Sequence, residues 1–158
     1  MRILSFDFGC KTGWASFDGN RIESGVQEFV LGRGESPGMR FLRFGVWIES
    51  MINLIKPEVC VYEMAHHRGG YATELLIGFV TRVQEKCAVY GVEYMPVHSA
   101  TLKKVATGSG RAGKEAMIKA ANKFLSFWGG VVVTSDDEAD AICLLEYAKR
   151  EFDATSKK

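Results

Sequence analysis

The chain has 158 residues, of which 47% are hydrophobic and 25% charged, and its formal net charge is +1. That length suits one domain with its own core and is too short for two, and the composition excludes disordered and fibrous classes. No apolar run approaches the roughly 20 residues of a membrane span, and Asp7 falls where a signal peptide would still be apolar, so a cytoplasmic protein with no membrane contact is expected.

Arg2 to Phe8 reads as a strand, with Ile3, Leu4 and Phe6 apolar and Gly9 breaking the run. A second strand, Gly13 to Phe17, follows the short turn Cys10-Lys11-Thr12 and ends at the hairpin signal Asp18-Gly19-Asn20. A third covers Ser24 to Leu31, followed by a loop over 32–38 rich in glycine. From Met39 to Ile55 the apolar spacing predicts an amphipathic helix, stopped before Pro57. Glu58 to Tyr62 is a short apolar strand of the kind found in the middle of a sheet, and it runs directly into Glu63. Helices are predicted over Thr73–Val89, Lys114–Phe127 and Asp136–Arg150, with a strand at Glu93–Val97. Hairpin strands followed by strands alternating with helices predict an α/β fold with a mixed five-stranded sheet flanked by helices. With no repeat and no linker, 1–152 reads as one domain and 153–158 as a polar tail.

Cys10, Cys60, Cys87 and Cys143 are far apart and form no C-x-x-C pair, so they read as small buried hydrophobes rather than a zinc site.

The chemistry lies in the carboxylates. Asp7 stands between Phe6 and Phe8 at the end of a buried strand, where an acid needs a partner; capping the Gly9 turn is the alternative. Glu63 ends a second apolar strand, where it could also be the first solvated residue after the strand. Two acids ending parallel strands at one sheet edge repel each other, and a bound divalent cation relieves that repulsion. Asp137 and Asp140 share one face at the start of a predicted helix. Ser135 to Glu138 fits a capping box, which accounts for Asp136 and Glu138 and could absorb Asp137. Asp140 lies beyond the cap, among Ala139, Ala141 and Ile142, and points to a metal-facing role. Asp7, Glu63, Asp137 and Asp140 thus form an all-oxygen ligand set that favours Mg²⁺, with Mn²⁺ as substitute, over zinc. Two such ions per site can serve both the attacking water and the leaving oxygen of a phosphodiester.

These residues resemble the RuvC-type Holliday junction resolvases, crossover junction endodeoxyribonucleases, and especially their shorter phage and prophage members. The resemblance rests on Ile3 to Ala15, on Tyr62-Glu63 with His66-His67-Arg68, on Leu102 to Gly110 leading to Lys114, and on Asp136 to Ala141, in that order along the chain. It implies a ribonuclease H-like fold, a homodimer, a cytoplasmic setting in a bacterial host, and Mg²⁺-dependent paired nicking of four-way DNA junctions. By position, Asp7, Glu63, Asp137 and Asp140 match the family's metal ligands, and Lys104 and Lys114 its basic residues near the DNA backbone. One departure is His66, where cellular members carry an aromatic that wedges into the junction, so branched DNA more broadly enters as the expected substrate.

Positive charge is concentrated beside the acids. Lys103, Lys104, Arg111, Lys114, Lys119 and Lys123 face the single acid Glu115 between His98 and Lys123. Thr107-Gly108-Ser109-Gly110 is expected to offer backbone N–H groups to a phosphate, and Lys114 opens a helix whose N-terminus favours anions. An ordinary solvated face is the alternative. His66-His67-Arg68 after Glu63 reads as a DNA-contacting or proton-shuttling loop, or as a plain flexible one. Such contacts position the DNA backbone without reading bases. Trp14, Trp47 and Trp128 are assigned to core or dimer interface, with the 39–55 and 73–89 helices as interface candidates.

The resulting expectation is water attack on a scissile phosphorus, leaving a 3′-hydroxyl and a 5′-phosphate. Asp7 would bridge the ions, with Glu63 on one and Asp137 or Asp140 on the other. Two alternatives remain: a non-catalytic protein that binds branched DNA, and an actin-like ATPase-type phosphate-binding domain, suggested by Asp7-Phe8-Gly9 with Lys11-Thr12-Gly13. The second needs another lobe and a nucleotide cofactor, and no nucleotide cofactor is expected here.

Overall fold

A computed structural model of the chain describes residues 1–65 and 69–155. The strands are β1 (Ile3–Asp7), β2 (Lys11–Phe17), β3 (Ile22–Glu28), β4 (Val59–Glu63) and β5 (Glu93–Val97). The helices are α1 (Pro37–Ile55), α2 (Gly70–Tyr90), α3 (Ser99–Thr107), α4 (Lys114–Ser126) and α5 (Asp136–Thr155). The strands form one five-stranded sheet in the order β3-β2-β1-β4-β5. β3, β2 and β1 pair antiparallel, while β1, β4 and β5 run parallel. This is the predicted mixed sheet, with the first strand at its centre.

The central strands are apolar on both faces because both are covered. Ile3 and Val61 face a core built with Leu102, Met117 and the apolar side of α5. Leu4, Phe6, Cys60 and Tyr62 face a second core formed with α1 and α2. In that second core Phe44 and Phe79 stack with ring centroids 3.8 Å apart, joining α1 to α2. Ser5 is a fully buried polar residue on β1. Its Oγ lies 2.7 Å from the Ala141 carbonyl and 3.1 Å from that of Ala15, so the hydroxyl ties α5 to the sheet.

α1 stops where Pro57 requires, with Lys56 in the left-handed conformation closing the helix through an N–H bond to the Ile52 carbonyl. Several elements depart from the sequence reading: β2 begins at Lys11 instead of Gly13, and β3 spans Ile22–Glu28 instead of Ser24–Leu31. α3 is an element beyond the sequence reading: it is only nine residues long and fully buries only Leu102, so its apolar face leaves a short signal. α5 continues to Thr155 instead of ending at Arg150, since Lys149–Asp153 and Arg150–Glu146 pairs one turn apart stabilise its polar end. Cys60, Cys87 and Cys143 are buried and Cys10 half-buried, all as free thiols. Among the described residues no helix is long and apolar enough to cross a membrane.

Candidate metal centre

β1 and β4 run parallel with Phe6 opposite Tyr62, so Asp7 and Glu63 leave the sheet side by side at one edge. Ligands of open α/β sheets bind outside the carboxyl ends of the strands, and this edge is such a place. α5 packs against β1 and β2 and brings Asp140 to the same point. Asp7, Glu63, Asp140 and Asp136 line one cavity of about 380 Å³, with Lys103 and Lys114 on its rim and Phe8 and Met117 among its walls. Phe8 is held in place by rings of Phe6, Phe44, Tyr62 and Phe79.

Three contacts explain how the start of α5 reaches the edge. A Cβ on Gly13 would lie 1.8 Å from the Asp137 carbonyl oxygen, so only glycine lets the helix backbone rest on β2. Ser135 Oγ accepts the Glu138 N–H at 3.4 Å, a long cap bond. The Glu138 carboxylate accepts a bond from Ser24 Oγ on β3 at 2.7 Å. The capping box expected from the sequence is therefore formed from its serine side, while the glutamate anchors the helix to the sheet.

The electrostatics are those of a site short of positive charge. Burial holds the Asp7 carboxyl well above the usual carboxylate range, and the charges of Asp140, Glu63 and Asp137 push it further. Asp140 is raised to about 6, first by burial and then by Glu63, with Lys103 opposing. Its Oδ1 is buried without a hydrogen-bond partner. A buried carboxylate oxygen with no donor, among other carboxylates, is a position that a hard cation satisfies. The donor chemistry and the unpartnered oxygen both fit Mg²⁺ or Mn²⁺. Among the described residues, no three Asp, Glu, His or Cys side chains close to ligand distance about one point as they stand.

The remaining predicted residues are placed unevenly. Asp137 does not line the cavity; burial and the neighbouring Asp136 raise its carboxyl, while Lys114 of α4 and Lys11 of β2 oppose this. Lys103 lines the cavity and Lys104 does not, because adjacent residues of α3 point about 100° apart. Lys114 sits on the rim in an ion pair with Asp136, a residue the sequence assigned to helix capping. Arg111 is exposed in the turn before α4 and is not part of the cavity lining. Two of the loop N–H groups expected to meet a phosphate are occupied: those of Gly108 and Ser109 bond to the Lys104 carbonyl and to Thr107 Oγ1. This follows from α3, whose C-terminal cap uses the same segment. His66, His67 and Arg68 lie outside the described residues. Sequence reasoning missed Asp136, Phe8 and Ser99 as lining residues; the lysine–acid pairing that marks Asp136 appears only when α4 and α5 meet.

The mixed five-stranded sheet and its flanking helices have the ribonuclease H-like α/β fold. Among solved structures, RuvC of Thermus thermophilus superposes with a TM-score of 0.74 and 17% identity over 96% of this chain and 97% of that one. The same protein in complex with Holliday junction substrate gives 0.76 and 16%, over 96% of each chain. The yeast mitochondrial Holliday junction resolvase Ydc2 gives 0.64 and 9%, over 90% of this chain and 75% of that one. No protein-family model matches the sequence, and no curated protein matches it.

Proposed function

We propose that the protein is a divalent-metal-dependent endodeoxyribonuclease that cuts branched DNA, the Holliday junction foremost, by paired nicking. The observation that carries this reading is the meeting of Asp7, Glu63 and Asp140 in one cavity at the carboxyl edge of the sheet, with Lys103 and Lys114 on its rim. The fold shared with resolvases, one of them solved on a Holliday junction, supports DNA as the substrate.

Asp7, Glu63 and Asp140 would hold Mg²⁺, with Mn²⁺ as substitute, and Asp137, which lies off the cavity lining but whose charge acts on Asp7, would complete the set for a second ion. Bound divalent ions supply acidity to water and neutralise charge on the phosphodiester. The protein's own part is to position and to exclude. Lys103 and Lys114 place the scissile phosphate over the acids and stabilise the charge that grows on it. Phe8 and Met117 give the cavity apolar walls, which strengthens the charge interactions beside them. Asp136 holds the Lys114 ammonium at the rim until a phosphate competes for it. Paired nicking requires two such sites facing opposite strands, and therefore a symmetric homodimer.

The test is cleavage of a synthetic four-way junction in Mg²⁺ by wild type and Asp7→Asn, beside fork, flap and RNA–DNA hybrid substrates. Wild type should nick the junction symmetrically and the variant should not. Binding without nicking by wild type would leave a non-catalytic branched-DNA-binding protein instead.

A further inference from the structure

Asp136 is the first residue of α5 and stands on the wall of the acid cavity with Asp7, Glu63 and Asp140. Its neighbour Asp137 does not line that cavity. Among the acids that raise the Asp140 carboxyl beyond its burial, Asp136 comes after Glu63 and ahead of Asp137, so its charge acts from nearer. In the same cavity Asp140 Oδ1 is buried without a hydrogen-bond partner, a position that a hard cation satisfies. Asp136 thus borders the place where positive charge is missing, while its carboxylate is paired with the Lys114 ammonium on the rim.

That ion pair is of a kind that exchanges. The Lys114 side chain is 80% exposed and that of Asp136 35%, so water screens the pair and leaves both groups free to rotate. The start of α5 does not follow them, because it rests backbone to backbone on Gly13 and Ser24 holds Glu138. The other bonds of the Asp136 carboxylate are to backbone N–H groups at the helix start, and its two oxygens have lone pairs left over. Among the described residues no three acids converge on one point as they stand, so a cation gathers its ligands here by side-chain rotation. A solvated ammonium competes poorly with a divalent ion for a carboxylate on the wall of the same cavity.

We propose that Asp136 is an exchangeable ligand of the metal centre: a divalent cation draws its carboxylate away from Lys114, and the released ammonium becomes a phosphate contact. The assignment rests on the nuclease reading above and adds one carboxylate to its ligand set. Metal and DNA then bind cooperatively through a single side chain, since both favour the state in which Asp136 faces the ion and Lys114 faces the strand. Without metal the pair keeps the rim lysine neutralised. The strand is gripped at Lys114 when the ion needed to cut it is in place.

The test follows the Lys114 ammonium resonance of the full chain by NMR as Mg²⁺ is added without DNA, beside Mn²⁺ affinity read by paramagnetic resonance. In wild type saturated with Mg²⁺ the Lys114 signal should move to where it stands in metal-free Asp136→Asn. The Mn²⁺ affinity of Asp136→Asn should lie about tenfold below that of wild type, for the loss of one charged ligand. The gain in four-way junction affinity on replacing chelator by Ca²⁺ should be at least about threefold smaller in Asp136→Asn than in wild type. A Lys114 signal that stays in place while the Asp140 carboxyl resonance reports bound Mg²⁺ would overturn the exchange and leave the nuclease reading intact. Unchanged Mn²⁺ affinity or an equal junction gain in Asp136→Asn would do the same. A wild type whose acids bind no divalent ion overturns both. Should Asp136→Asn fail to fold, the wild-type titration decides alone, with the shift of a solvated lysine as reference: movement to it supports the exchange, and no movement overturns it.

Discussion

Gly13 on β2 and Asp137 at the start of α5 touch backbone to backbone, so closely that a Cβ on Gly13 would stand 1.8 Å from the Asp137 carbonyl oxygen. This contact sets the height at which α5 crosses the sheet, and hence where Asp140 arrives relative to Asp7. Gly13→Ala must push the helix away or distort β2. The expected cost is about 1–3 kcal/mol of stability, by the overpacking rule for well-packed interiors. The thermal midpoint and the Mn²⁺ affinity should fall together, and a variant that melts and binds as wild type would refute the contact.

Asp140 gives a stability signature without substrate. In the folded chain its carboxyl holds its proton up to about pH 6, against a usual value of 3.8. Between those values the folded state binds more protons than the unfolded one, so stability falls as pH rises through that window. Asp7 acts in the same direction. Metal-free protein should therefore be more stable near pH 4.5 than near pH 7 as far as this site contributes. Asp140→Asn should raise the pH 7 midpoint by about 4–8 °C, corresponding to about 2 kcal/mol for a domain of this size. Calorimetry across pH, with chelator present, measures it.

Metal affinity should show the converse. Holding a divalent ion requires the carboxyls of Asp7 and Asp140 to be ionised, so binding releases protons and weakens as pH falls below about 6. Titrating Mn²⁺ at pH 5 and at pH 8 should show at least a tenfold weaker apparent affinity at the lower pH. Asp7→Asn and Asp140→Asn should each reduce cleavage at least about a hundredfold, since charge neutralisation at the phosphate is worth several kcal/mol.

Lys103 and Lys104 provide a side-by-side comparison on one helix. Lys103 lines the acid cavity and lowers the Asp140 carboxyl, while Lys104 does neither. Lys103→Met should cut junction cleavage at least about tenfold and raise the Asp140 titration further, whereas Lys104→Met should affect DNA binding only slightly. Equal loss in both variants would contradict the placement of α3.

Breaking the rim ion pair should act in the opposite direction. Asp136→Asn frees Lys114 for phosphate and removes a negative charge from the cavity, so junction affinity should rise a few-fold at low salt. Stability should change by less than about 1 kcal/mol, because the lysine is mostly solvated. Anisotropy titrations at two salt concentrations separate the two effects.

Much of this was legible in the order of residues alone. Alternating and continuous apolar runs determined the strands and the long helices, because burial on one face or two leaves a period in the sequence. An acid closing a buried strand announced Asp7, and an acid beyond a helix cap announced Asp140, because neither position has a local reason to carry charge. The tertiary structure alone decided which lysine of an adjacent pair faces the site and that Asp136 rather than Asp137 lines the cavity. Those facts depend on the rotation of α3, the resting of α5 on Gly13 and the meeting of α4 with α5. All are contacts between residues far apart in the chain, where sequence spacing carries no signal.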